Sequence, residues 1–133
     1  MSTNLIYLDS SVALRAILDV PERGVIRSWL QAPGATFVSS RLLRTEIVRT
    51  LRRERYPVAM SAQVLDRVGL FDISGETHAV AESIERHVEA LDAIHLATAL
   101  IFGEPVTVAT HDASMKSVAE HLGFLVIDPV ESV

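Results

Sequence analysis

Five short apolar runs alternate with stretches of helical periodicity, and that alternation leaves the chain few folds to choose from. The runs are residues 5–8, 36–38, 70–73, 106–109 and 124–127. They are too short for ordinary helices and read as strands, buried where they are continuously apolar. Ser10 or Ser11 caps a helix carrying Val12, Leu14, Ile17 and Leu18. Pro21 opens a second helix with Val25, Ile26, Trp29 and Leu30 on one face, stopped by Pro33 and Gly34. Further helices are expected over residues 41–55, from Ser61 with Val64, Leu65 and Val68, over residues 76–88 with Val80, Ile84 and Val88 in register, and over residues 92–102. A last one runs from Asp112, with Met115, Val118, Ala119 and Leu122 spaced i, i+3, i+4, i+7, and closes at Gly123. Strands alternating with helices make a parallel sheet covered on both sides. The expected fold is therefore α/β: a three-layer α/β/α sandwich with a central, mainly parallel sheet. In such sheets, ligands bind beyond the carboxyl ends of the strands, where the strand order reverses.

The length of 133 residues suits one compact domain, 1–133, with a real core. With 49% hydrophobic residues and only 6 Gly and 5 Pro, the chain is neither disordered nor collagen-like. Cysteine is absent, which excludes a disulfide scaffold and a Cys-based zinc site. No two of His78, His87, His95, His111 and His121 have the spacing of a helical metal pair. The first residues lack the positive charge of a leader, and no apolar stretch is long enough for a membrane span, so a cytoplasmic location is expected. The net charge of −5 is unevenly spread. Residues 1–70 carry a balance of +4 and residues 71–133 a balance of −9, and 11 of the 12 basic residues are Arg.

The chemistry resides in four acids. Asp9 follows the first strand and precedes a helix, so it is either a helix cap or a ligand at a strand's carboxyl end. Asp112 repeats that pattern after residues 106–109. Asp92 starts a helix, residues 92–102, whose apolar residues surround the axis. Such a helix is expected to be buried, and a carboxylate at its start then needs a partner, either the helix backbone or a cation. Glu46 sits on the Arg-rich helix, about 60° from Leu43 on the inward side of the wheel. It either pairs with Arg49 or Arg53 or serves something more specific. Four carboxylates suit hard divalent ions such as Mg²⁺ or Mn²⁺. Ions of that kind neutralise a scissile phosphate and acidify a bound water, which fits phosphodiester hydrolysis without a covalent intermediate. A phosphoacceptor signalling domain, also a small α/β fold, fits poorly: Asp9 is followed by serines, and the only lysine, Lys116, falls inside a helix.

Four segments carry a resemblance. Tyr7-Leu8-Asp9-Ser10-Ser11-Val12-Ala13-Leu14, then Arg44-Thr45-Glu46-Ile47-Val48-Arg49, then Leu91-Asp92-Ala93-Ile94-His95-Leu96-Ala97-Thr98-Ala99, then Thr110-His111-Asp112 together resemble a PIN domain, in particular the VapC toxins of VapBC toxin–antitoxin systems. The resemblance implies a Mg²⁺-dependent endoribonuclease, with Mn²⁺ able to substitute. It implies Asp9, Glu46, Asp92 and Asp112 as the acidic positions, and Asp9 and Asp92 as the commonest metal ligands. It also implies an RNA substrate, a VapB-type antitoxin and a homodimer. A non-catalytic PIN-like RNA- or protein-binding module is the alternative. Ser10 stands where the family often has Thr.

Other residues hold supporting places. Ser11 can orient Asp9 or a metal-bound water, and Thr110 lies beside Asp112. His95, three residues after Asp92, either organises Asp92, touches substrate or is a satisfied core residue. His111 reads as a loop histidine and Asp128-Pro129 as the end of the last strand. Arg44, Arg49 and Arg53 are candidate contacts for RNA or an acidic antitoxin segment, with a merely solvated face as the competing reading.

Overall fold

A computed structural model describes residues 4–131. Residues 1–3, part of the stretch read above as lacking a leader's charge, lie outside the described residues, as do residues 132–133. Strands β1 (Asn4–Leu8), β2 (Ala35–Ser40), β3 (Val68–Phe71), β4 (Thr107–Ala109) and β5 (Leu125–Ile127) form one sheet in the order β3-β2-β1-β4-β5. Every pairing is parallel. The helices are α1 (Ser10–Ala13), α2 (Arg23–Gln31), α3 (Leu42–Arg53), α4 (Ala62–Leu65), α5 (Gly75–Ser83), α6 (Ala90–Ile101) and α7 (Ala113–His121). Among the described residues none is long and apolar enough to cross a membrane.

Side-chain alternation in β1 explains the layers. Ile6 and Leu8 point to one face, where they meet Val12, Ile26, Leu30, Leu43, Ile47, Leu51 and Val64 from α1 to α4. Tyr7 points to the other, where it meets Leu96, Val108, Met115 and Val118. The expected three-layer sandwich is thus present, with a wholly parallel sheet. From β1 the chain builds outward through β2 and β3, then crosses back to add β4 and β5. The order therefore reverses between β1 and β4, and the carboxyl ends of those two strands form the crevice.

Several boundaries differ from the sequence reading, each for a local reason. The first helix is one turn that continues as a 3₁₀ turn over Leu14–Ala16, and Asp9 rather than either serine occupies its N-cap position. The helix expected from Ser61 is only α4; Val68 belongs to β3, which pairs with β2 through Phe37–Val68 and so starts two residues earlier than expected. Strand pairing overrides the helical register that Val64 and Val68 share. The helix expected over residues 76–88 ends at Ser83, whose Oγ donates to the Val80 carbonyl at 2.6 Å, and Ile84 is extended. Ile84 and Val88 reach the core from extended chain instead. Helix α6 starts two residues before Asp92 and is not buried all round, since Leu91, Leu100 and Ile101 remain 38–49% exposed. At the end of α7, Gly123 takes φ +97°, a left-handed conformation that glycine adopts without strain.

Candidate active site

Asp9 lies one residue past β1, and its backbone N–H continues the ladder by donating to the Ala109 carbonyl at 3.0 Å. Its side chain is 2% exposed and makes no helix-capping bond, so the capping alternative does not hold for it. Oδ2 accepts from Ser11 Oγ at 2.7 Å and from Thr110 Oγ1 at 2.8 Å. Oδ1 is buried with no hydrogen-bond partner. A buried carboxylate oxygen without a donor is costly, and a bound cation would satisfy it.

Thr110 and Ser11 tie the two strand ends together. Thr110 continues β4 by donating its N–H to the Ile127 carbonyl at 3.0 Å, while its hydroxyl accepts from the Asp112 N–H at 3.0 Å. Ser11 Oγ accepts from the His111 N–H at 2.8 Å. Asp112 is both exposed and a true cap: Oδ1 accepts from the Met115 N–H at 3.0 Å at the start of α7.

Asp92 is in the first turn of α6, three residues past the N-cap Glu89, and half-buried. Its carboxyl is pushed up to about 6, first by burial and then by the negative charges of Asp9, Asp112 and Glu46, while His95 opposes the rise. Three acids from separate elements thus press on one. The structure brings all four sequence-predicted carboxylates into one electrostatic neighbourhood, contributed by α3, α6 and the ends of β1 and β4. The donor set is all oxygen and suits a hard divalent ion. As placed, however, no three acidic or imidazole side chains among the described residues form a ready-made cation site. Glu46 and Asp112 are instead turned toward protein partners.

Those partners of Glu46 form a network that the sequence did not disclose. Oε1 lies 2.6 Å from His95 Nε2, and Oε2 accepts from Ser10 Oγ at 3.3 Å. No ion pair joins Glu46 to Arg49 or Arg53 among the described residues; Arg53 lies 3.5 Å from Glu54. On the far side of the fully buried His95 ring, Nδ1 lies 2.7 Å from the Tyr7 hydroxyl, which accepts from the Ser40 N–H at 3.0 Å. Burial holds the Tyr7 hydroxyl above its ordinary range, with hydrogen bonds from Ser39, Thr98 and Ser40 opposing only part of the rise. Tyr7 thus stays protonated and donates to Nδ1, leaving Nε2–H to donate to Glu46. His95 therefore organises Glu46, not Asp92. The contacts of Tyr7, Ser10 and Ser40 were missed: Tyr7 and Ser10 stand in a segment that carries the resemblance, but nothing along the chain reports that they meet His95 and Glu46 or that Ser40 meets Tyr7. Tyr7→Phe would strand the Ser40 N–H and His95 Nδ1 in the core. The expected loss is about 1–3 kcal/mol of stability, read from the denaturant midpoint.

The candidate arginines do not form one group. Arg44 and Arg49 are exposed and, with Arg41 and Arg52, line a shallow groove of about 270 Å³ between α3 and Val58. Arg53 stands apart from it. A concavity of about 770 Å³ lies at the opposite edge of the sheet against Asn4, Thr107 and Leu125, where the strands begin, and holds none of the four acids.

Comparison with known proteins identifies the family. Residues 6–121 match the family model described as PIN domain. Two relatives from Mycobacterium tuberculosis align over nearly their whole lengths. Ribonuclease VapC47 is 29% identical, over 94% of this chain and 97% of the relative. Ribonuclease VapC46 is 32% identical, over 93% of this chain and 97% of the relative. Among solved structures, a toxin–antitoxin complex from Klebsiella pneumoniae superposes with a TM-score of 0.71 at 17% identity, over 93% of this chain and 97% of that one.

Proposed function

The chain belongs to the PIN domain family, and from that premise we propose that it is a divalent-metal-dependent endoribonuclease acting as the toxin of a toxin–antitoxin pair. The observation that carries the chemistry is the meeting of four carboxylates at the β1/β4 reversal, where Asp9 keeps a buried, unpartnered oxygen. Residues 1–133 are read as one domain. Two relatives are named ribonucleases, and the superposed structure is a toxin–antitoxin complex, which supports an RNA substrate and an antitoxin partner. A homodimer and a cytoplasmic location complete the proposal.

Asp9 and Asp92 would hold Mg²⁺ or Mn²⁺, with Asp112 and Glu46 at its margin. Such an ion, when bound, supplies charge neutralisation at the phosphate and a more acidic water. Ser11 and Thr110 fix one oxygen of Asp9 and leave the other for the cation. Glu46, steadied by His95 and Ser10, would accept the proton of the attacking water. The Arg41, Arg44, Arg49 and Arg52 groove offers the RNA backbone, or an acidic antitoxin segment, a set of phosphate- or carboxylate-binding forks.

Incubation of the purified protein with structured RNAs tests this reading. Cleavage is expected with Mg²⁺ or Mn²⁺, is expected to stop with EDTA, and should return when the ion is restored in excess. Cutting that survives EDTA would overturn the metal mechanism. Protein that binds RNA yet never cuts it with either ion would instead be the non-catalytic module.

A further inference from the structure

We propose that Nε2 of His111, whose ring is held by Asp128, accepts a hydrogen bond from a ribose 2′-hydroxyl of the RNA beside the acidic centre; this rests on the ribonuclease reading above. His111 Nδ1 lies 2.6 Å from Asp128 Oδ2. The Asp128 side chain is only 8% exposed, and its Oδ1 accepts from the Val130 N–H at 3.0 Å, so the carboxylate is rigidly placed at the end of β5. A carboxylate acceptor at that distance keeps the ring proton on Nδ1 and sets the ring's orientation. Nε2 has no hydrogen-bond partner among the described residues, and the side chain is 30% exposed.

The backbone of His111 is bolted to the site as firmly as its ring is to Asp128. Its N–H donates to Ser11 Oγ, the same hydroxyl that donates to Asp9. The next residue is Asp112, whose N–H is held by Thr110. The backbone of His111 therefore stands at the rim of the acidic centre, and its ring is carried on a segment with little freedom to move. Four carboxylates at the centre repel a phosphodiester until a cation is bound, so polar contacts at the rim are needed to keep the strand in place. A histidine oriented by a buried carboxylate meets that need at small entropic cost. A strut joining the β4–α7 connection to the end of β5 is the competing explanation for the pair.

Two substitutions separate the roles, because each amide replaces a different ring nitrogen. In His111→Asn the side-chain amide falls near the Nδ1 position, so the strut to Asp128 is kept and the outward group is lost. In His111→Gln the amide reaches toward the Nε2 position instead. Cleavage is followed in Mg²⁺. Binding of a labelled single-stranded oligoribonucleotide of mixed sequence is followed in parallel on an Asp92→Asn background, which is not expected to cut. The expected result is a loss of about tenfold in kcat/KM and a weaker Kd for His111→Asn, with its melting temperature unchanged. His111→Gln should recover most of both. In a repeat with the all-deoxy oligonucleotide, which lacks the 2′-hydroxyl, the binding difference between the two variants should vanish, and a difference that persists would overturn the contact. Wild-type activity and affinity in His111→Asn, or equal losses in the two variants, would overturn the contact. Failure of the wild-type protein to cut RNA would count against the ribonuclease reading, while the binding comparison would still decide for or against His111.

Discussion

Asp9→Asn should lower RNA cleavage by at least about 100-fold while the protein remains folded. The estimate follows from the cost of disturbing even the outer neighbours of a metal site, which is about 10- to 100-fold, and Asp9 is proposed as an inner one. The substitution keeps size and shape. Ser11 and Thr110 still find an acceptor in the amide oxygen, and a buried oxygen that lacked a partner is replaced by a neutral group. Far-ultraviolet circular dichroism should therefore be unchanged. Calorimetric titration should show a much weaker Mg²⁺ or Mn²⁺ isotherm. Near-normal cleavage by Asp9→Asn would remove Asp9 from the mechanism and with it the central role given to the β1 end.

Asp92→Asn should be inactive for the same reason, yet more stable than the parent when metal is withheld. In the folded protein the Asp92 carboxyl is raised to about 6, by burial first and then by Asp9, Asp112 and Glu46. An unfolded Asp titrates near 3.9. The native state thus holds the extra proton between those values, and protonation favours folding there. Above about pH 6 the ionised Asp92 opposes folding in full. As the pH falls toward about 4 that penalty fades. With EDTA present at pH 7.5, the Asn variant should be more stable by roughly 1–2 kcal/mol, discounted for the partial exposure of the site. The gap should narrow toward pH 4. Added Mg²⁺ should raise the parent's melting temperature more than the variant's, because the ion offsets a repulsion the variant lacks. Denaturant curves at pH 7.5 and 4.5, with and without Mg²⁺, read all three effects. A parent more stable than the variant at pH 7.5 without metal would contradict the crowding of acids around Asp92.

The rest of the arrangement shows the same crowding of negative charge. Asp9 keeps an unsatisfied oxygen, and Asp92 is pressed by three like charges. Glu46 and Asp112 are meanwhile occupied by His95, Ser10 and the Met115 N–H. Those bonds keep the acids oriented without neutralising them.

The sandwich was legible along the chain because it follows from local rules, whereas the four acidic positions were joined into one set by the family resemblance. Short apolar runs between amphipathic stretches specify strands and helices, and a parallel sheet follows from their alternation. An acid at a strand's end or in the first turn of a helix can be seen without knowing what it faces. Where local patterns competed, the chain alone decided wrongly. Val68 continues a helical register with Val64 but is drawn into β3 by pairing with Phe37, and Ile84 leaves its helix once Ser83 takes the Val80 carbonyl. Only the tertiary structure decided what each site residue touches. Of the four acids treated at first as one set, it made Asp9 the buried member with an open oxygen and Asp92 the one under repulsion. It made Asp112 a helix cap and Glu46 a partner of His95. Tyr7 and His95 are separated by 88 residues, Thr110 and Asp9 by 101. Contacts over such distances depend on where the fold places each element, and no periodicity or motif within one element reports that placement.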